Sequence, residues 1–191
     1  MLHIFTDGAC PSNGKRAARA SYSVVLWNLP DATDPLGIAE LVPESEPQTN
    51  QRAELRGVAR AFEEIQQRRL KGPITIWTDS EYTRKCVMEW GPQWKARGWR
   101  RAQHAKKPLE HLDLLKPMIE YFEASQHFIR FQHVKAHTGR KEFPYSGNEM
   151  ADWLATSIIS EQKTGSSGIT SMGERSQILR QLMPQYDRVV P

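Results

Sequence analysis

Four carboxylates close four separate apolar segments of this 191-residue chain: Asp7 in IFTDG, Glu54 in TNQRAEL, Asp79 in IWTDS and Asp152 in GNEMADWLA. The segments read as strand ends and helix faces, so a fold that stacks them brings the acids together. Carboxylates a few ångströms apart repel, and each raises the other's pKa. A divalent cation removes that penalty, and Mg2+ takes oxygen ligands with waters and substrate phosphates completing its shell. A fold that holds these acids side by side therefore points to a metal site suited to phosphodiester chemistry.

Hydrophobic periodicity supplies the elements between the acids. Leu2–Thr6 is a short strand ending at Asp7-Gly8. Ala20–Trp27 is β-branched and aromatic, and Asn13-Gly14 between the two is a turn signal, so an antiparallel pair is expected. Gly37–Val42 makes a third strand after the loop from Pro30 to Pro35. Leu55, Val58, Ala59, Phe62 and Ile65 recur at helical spacing. That helix is expected from Asn50 to Leu70, capped by Thr49 or Asn50 and ended by Gly72-Pro73. Ile74–Trp77 is a buried strand, and Asp79-Ser80 is a strand-to-helix corner. Leu109, Leu112, Leu115, Ile119 and Phe122 form a second long helix that Pro117 should kink or split. A last strand, Phe128–Val134, a polar loop from Lys135 to Gly147, and a helix over Asn148–Ile159 follow. The order implies an α/β fold with a five-stranded mixed sheet and helices on both faces. The ends at Asp7 and Asp79 could lie side by side. Residues 1–160 form the folded domain; Glu161–Gly173 reads as a linker, and Ile178, Leu179, Leu182 and Met183 as one amphipathic turn in a loosely attached tail.

Charge is informative only locally. Lys and Arg number 26 against 22 acids, a net charge of +4. From Arg84 to Lys107, however, eight Lys or Arg stand against one acid, Glu89. GPQWKARGWRRAQHAKKP looks like a basic protrusion around a short helix, suited to a polyanion; a solvated lysine-rich loop is the plainer alternative. Cys10 and Cys86 make neither a disulfide framework nor a zinc spacing, which favours a reducing, intracellular setting, cytoplasm or nucleus. MLHIFTDG reads as a first strand rather than a targeting segment. No run approaches membrane-span length.

Any one of these acids alone is ordinarily a turn, cap or solvated residue. Glu54 lies at the edge of the buried stripe, and Asp152 lies between Ala151 and Trp153 on an apolar helix. Together, in register, TDGACPSNG, TNQRAEL, WTDSEYT, the run Trp90–Trp99, and HTG followed by GNEMADWLA resemble type 1 ribonuclease H over residues 1–160. The resemblance implies a ribonuclease H-like fold and an RNA/DNA hybrid endonuclease. It implies two Mg2+ ions, with Mn2+ as a substitute, held by Asp7, Glu54, Asp79 and Asp152. Asp79 and Asp7 would be shared ligands, with Glu54 toward the ribose and Asp152 toward the nucleophile. The products would carry 3′-hydroxyl and 5′-phosphate ends. His137, in HTG, matches the family's loop histidine, which positions water or aids product release.

The same resemblance assigns the substrate contacts. An RNA strand is marked by its 2′-hydroxyl in the shallow minor groove. Cys10, Asn13, Thr49, Asn50, Gln51 and Asn148 flank the acids at family contact positions. Tyr82 and Trp90 match an aromatic channel for deoxyribose. Lys95, Arg97, Arg100 and Arg101 would make salt-sensitive phosphate contacts, whereas Trp94 and Trp99 look like packing beneath the protrusion. Three departures stand out. The family's phosphate pocket commonly has Arg where Pro47 stands and Asn where His111 stands, and the loop after His137 is about five residues longer because of KEFPY. A monomer without a tethered second hybrid-binding module is expected. The alternatives are a retroelement polyprotein's ribonuclease H domain, a catalytically silent hybrid-binding module, or a related-fold transposase; the helix Glu and the Trp-rich protrusion argue against the last.

Overall fold

Two strands whose residues are buried on both faces run through the centre of the molecule. The computed structural model describes residues 1–163 apart from 31, 33 and 103–105, with the side chains of 161–163 also left aside. The sheet contains β1 (Leu2–Ala9), β2 (Ser21–Trp27), β3 (Leu36–Leu41), β4 (Ile74–Thr78) and β5 (Ile129–His133) in the order β3-β2-β1-β4-β5. β1 pairs antiparallel with β2 and parallel with β4, while β3 and β5 take the edges. The helices are α1 (Asn50–Gln67), α2 (Glu81–Lys85), α3 (Gly91–Ala96), α4 (Leu112–Ser125) and α5 (Tyr145–Lys163); a π-helical turn, Cys86–Trp90, joins α2 to α3.

The strand period divides the core. Ile4, Leu26, Ile76 and Phe131 face α1 and α4, which contribute Leu55, Val58, Phe62, Leu115 and Ile119. Phe5, Val25 and Trp27 face α5, which contributes Met150, Ala151 and Leu154. Strands covered on both faces read as nearly continuous apolar runs, as these do. Two serines fasten α5 to β2. Ser23 Oγ donates to the Ala151 carbonyl at 2.7 Å, and Ser21 Oγ donates to the Ala155 carbonyl.

Several boundaries differ from the sequence expectation. β1 continues through Asp7 to Ala9, so Asp7 lies inside a strand opposite Ser23. The last β1–β4 pair is Thr6–Thr78, however, which leaves Asp7 and Asp79 as the next residues of two parallel neighbours. α1 ends at Gln67, and Arg69 takes a φ of +52° before Gly72 at +93°. α4 begins at Leu112 and is one element across Pro117. Pro117 falls in its second turn, where it removes a single ladder bond, so the helix is not split. α5 begins at Tyr145, three residues earlier than expected, and continues to Lys163, so residues 161–163 are helical where a linker was expected. The tail turn at Ile178, Leu179, Leu182 and Met183 lies outside the described residues. Among those described, no helix is long and apolar enough to cross a membrane.

Close approach of α1 to β1 depends on glycine. A Cβ on Gly8 would lie 2.3 Å from the Glu54 backbone nitrogen, and one on Gly57 would lie 3.2 Å from the Asp7 carbonyl oxygen. The first contact is impossible without moving the helix. Gly8→Ala should therefore lower stability by about 3 kcal/mol, the upper range for overpacking a tight site, and displace Glu54 from Asp7. Chemical denaturation checks the first effect and divalent-ion binding the second; an unchanged midpoint with normal binding would show that α1 is not held by this contact.

Candidate active site

The end of the sheet marked by Asp7 and Asp79 opens into a cleft of about 360 Å³. It is lined by Asp7, Gly8, Cys10, Asn50, Glu54, Asp79, His137, Asp152 and Thr156, with Ala9 and Pro11. β1 presents Asp7, the corner after β4 presents Asp79, and α1 presents Glu54 from its first turns. Thr49 caps that helix, its hydroxyl accepting the Arg52 N–H at 3.2 Å. Ser80 caps α2 in the same way through the Thr83 N–H.

One carboxylate oxygen each from Asp7, Glu54 and Asp79 lies within 4.8 Å of the other two. Asp7 and Glu54 are 5% and 6% exposed. Two full charges at that separation repel by roughly 3 kcal/mol at an effective dielectric of about 20. Burial, then Asp79 and Asp152, push the Asp7 carboxyl up to about 8, partly offset by the Gly8 N–H. Burial, then Asp7 and Asp79, raise Glu54 well above the usual carboxylate range. Asp152 is raised mainly by burial, with His137 opposing and Asp79 adding to the shift. Asp7 Oδ2 and Glu54 Oε2 are buried and lack a hydrogen-bond partner. Buried oxygens without donors, converging from separate elements, fit a divalent cation of the oxygen-seeking kind.

Asp152 lines the cleft but stands outside the tight group of three. His137 lies near it on the loop after β5, with a φ of +50°. A left-handed histidine is uncommon and costs about 1 kcal/mol or more, a strain that clusters at functional sites. Asn148, from the first turns of α5, donates to Asp79 Oδ2 at 3.1 Å and so fixes that carboxylate. Gly147 lets α5 come this close, because a Cβ there would meet the Phe5 ring at 2.3 Å.

The other sequence candidates lie farther out. Cys10 and Asn50 line the cleft. Asn13 and Gln51 are exposed outside that lining. Tyr82 and Trp90 meet edge to face, with ring centroids 6.1 Å apart. Trp94 is buried and Trp99 packs against the core, with Lys116 5.9 Å above its ring. Arg97, Arg100 and Arg101 are exposed. Lys95 instead pairs with Glu123. Around the departures, Glu46 accepts from Arg52 and Arg56, and Arg52 also grips Asp113 with two nitrogens, tying α1 to the start of α4. His111, at a φ of +57°, stands just before α4 at its N-cap; burial and the Arg52 charge lower its pKa.

Sequence reasoning missed Thr156. It stands four residues after Asp152, so the i, i+4 helical spacing was the available signal. Its hydroxyl donates to the Asp152 carbonyl at 2.9 Å. Arg52 was also missed as a structural residue, because its partners Glu46 and Asp113 come from two other segments.

The fold and the acid cluster define an α/β protein with carboxylates gathered, as a candidate metal site, at one end of a mixed sheet. A family model described as RNase H matches residues 1–160. A Ribonuclease H of Pseudomonas syringae pv. syringae is 35% identical over 168 residues, covering 84% of this chain and 93% of that protein. A Ribonuclease H of Verminephrobacter eiseniae is 33% identical over 171 residues, covering 90% and 97%. The solution structure of the Prototype Foamy Virus RNase H domain superposes with a TM-score of 0.65 at 26% identity, covering 82% of this chain and 92% of that domain. The chain belongs to the ribonuclease H family.

The raised Asp7 carboxyl sets a pH dependence for the metal-free protein. Its folded pKa of about 8 exceeds the unfolded value, so its contribution to stability is full below about pH 4 and is lost as pH rises through 8. The melting temperature without divalent ions should fall by several degrees between pH 5 and 9, and a divalent cation should recover most of that loss at the alkaline end. A flat metal-free profile would contradict buried carboxylates that each keep an oxygen without a hydrogen-bond donor.

Proposed function

We propose that the chain is an endonuclease that hydrolyses the RNA strand of RNA/DNA hybrids without sequence preference, using a divalent metal, Mg2+ or in its place Mn2+. The observation that carries this reading is the convergence of Asp7, Glu54 and Asp79 within 4.8 Å, with buried oxygens that no protein donor satisfies. Family membership supplies the reaction class. Asp7, Glu54, Asp79 and Asp152 would hold two metal ions, which supply Lewis-acid charge for an in-line displacement at phosphorus.

The chain's own residues set the stage for that displacement. Asn148 fixes the Asp79 carboxylate through its amide, so one acid of the site is held in a single orientation. Gly8 and Gly57 let α1 bring Glu54 against β1. His137, beside Asp152 at the cleft rim, would hold the attacking water or a proton of the departing product. Water oxygen bonds to phosphorus as the bond to the 3′ oxygen breaks, leaving 3′-hydroxyl and 5′-phosphate ends. Cys10 and Asn50 in the cleft, with Asn13, Thr49 and Gln51 on the same flank, would read the 2′-hydroxyls of the RNA strand. The Tyr82–Trp90 pair would take the DNA strand, where a bulkier ribose is excluded. Arg97, Arg100 and Arg101 would add phosphate contacts independent of sequence, and Lys95 would do so only by leaving Glu123. Removal of R-loops and RNA primers is the corresponding biological task.

Cleavage of labelled hybrid, double-stranded RNA and double-stranded DNA, with and without Mg2+, tests this directly. Cutting confined to the RNA strand of the hybrid, and only with metal, is expected; metal-dependent binding without cutting would favour a silent hybrid-binding module. Asp79→Asn should reduce turnover by about 10³-fold or more, as for loss of a principal electrostatic group, with hybrid affinity little changed. Retained turnover would sink the metal assignment. Neutralising Arg100 and Arg101 together should lower the slope of log affinity against log salt by roughly 0.7–0.9 for each phosphate that is no longer neutralised. An unaltered slope would mean that the protrusion does not touch the nucleic-acid backbone.

A further inference from the structure

The loop joining β5 to α5 carries His137 near its start and the additional residues KEFPY near its end. Those residues are not slack. The Phe143 ring lies against a sheet face built from aromatic side chains of three strands. Ring centroids are 4.7 Å from His3, 5.8 Å from Phe5, 6.4 Å from Trp27 and 5.7 Å from Trp77, all near edge-on. Edge-to-face contacts of this kind stabilise beyond the area they bury. Trp77 is itself held, its indole N–H donating to His3 Nδ1 at 3.2 Å. At the other end of the loop, Val134 is buried and its N–H donates to the Thr78 carbonyl at 3.1 Å, beside Asp79.

His137 therefore hangs between two fixed points on the sheet that also carries the acids. Its φ of +50° and that of Gly139, +72°, lie in the span between them. A non-glycine residue in the left-handed region persists only where the surroundings over-determine it. The nearer polar contacts of the loop, Lys141 to Glu149 at 2.8 Å and Arg140 to the Tyr145 hydroxyl at 2.9 Å, involve exposed groups that add little restraint. The half-buried Phe143 ring, with its four aromatic neighbours, is the loop's apolar contact with the sheet.

We propose that Phe143 is a positioning residue: by docking on the His3–Phe5–Trp27–Trp77 face it sets where the His137 imidazole stands relative to the acid cleft. This rests on the reading above that His137 serves the cleavage step. In this chain the longer loop is then a strut.

The test is steady-state cleavage of hybrid by purified full-length variants, with melting curves alongside. Phe143→Ala should lower kcat by about tenfold, since misplacing a reacting group by an ångström is costly, with KM changed by no more than about twofold. Phe143→Tyr, which keeps the ring, should restore most of kcat. In a His137→Ala background, adding Phe143→Ala should cost less than about twofold more, because the group it positions is gone. Inserting two glycines between Gly139 and Arg140 leaves the dock intact but lengthens the tether; it should lower kcat as Phe143→Ala does, with the melting temperature unchanged. Equal losses from Phe143→Ala in both backgrounds, or full kcat after the insertion, would overturn the proposal, and the insertion decides alone if Phe143→Ala does not fold. If His137→Ala by itself leaves kcat intact, the role of His137 fails and the strut with it. If His137→Ala lowers kcat while Phe143→Ala does not, only the strut fails.

Discussion

Mutual repulsion among buried carboxylates is the constraint around which this molecule is arranged. Asp7, Glu54 and Asp79 are brought within 4.8 Å at the end of a sheet, and two of them are almost fully buried. Nothing in that cluster favours assembly by itself. The opposing stabilisation comes from the two apolar layers on either face of the sheet, which hold α1, α4 and α5 in place whatever the charges prefer. The acids are thus kept in a raised, proton-hungry state that a divalent cation relieves, and binding of such an ion is coupled to stability by the same linkage.

The supports around the cluster show how little freedom is left. Gly8 leaves no room for a side chain between α1 and β1, and Gly57 makes a tight fit there, which holds Glu54 against Asp7. Gly147 lets α5 press on Phe5, and the amide of Asn148 then reaches Asp79. The serines of β2 bind the carbonyls of α5. Away from the cleft, Arg97, Arg100 and Arg101 are exposed. Arg52 is bonded to Glu46 and Asp113, which makes the start of α1 a structural joint to α4.

Much of the fold was legible because its signals are local. The apolar runs of β1, β2 and β4, the stripe of α1 and the caps at Thr49 and Ser80 follow from side-chain period and hydrogen-bonding chemistry within a few residues. The boundaries that differ have two causes. β1 runs past Asp7 because β2, remote in sequence, supplies partners as far as Ala9. α4 spans Pro117 at the cost of one ladder bond, and α5 starts at Tyr145 because the carbonyls of Glu142 and Pro144 accept the N–H groups of Ser146 and Asn148. The sequence showed KEFPY only as extra loop length; the ring contacts of Phe143 are with His3, Phe5, Trp27 and Trp77, which no local window joins.

The chain by itself determined the chemistry: which acids, which histidine and which amides were available, and that they lay at the ends of segments able to converge. Residue type and spacing carry that information directly. Tertiary structure alone decided which acids share a buried point and which stands apart. It set Asp152 at the cleft but outside the group of three, committed Lys95 to Glu123 and Arg52 to Asp113, and turned the longer histidine loop into an anchored one. Those outcomes depend on distances between residues remote in sequence, set by how two apolar layers pack across one sheet.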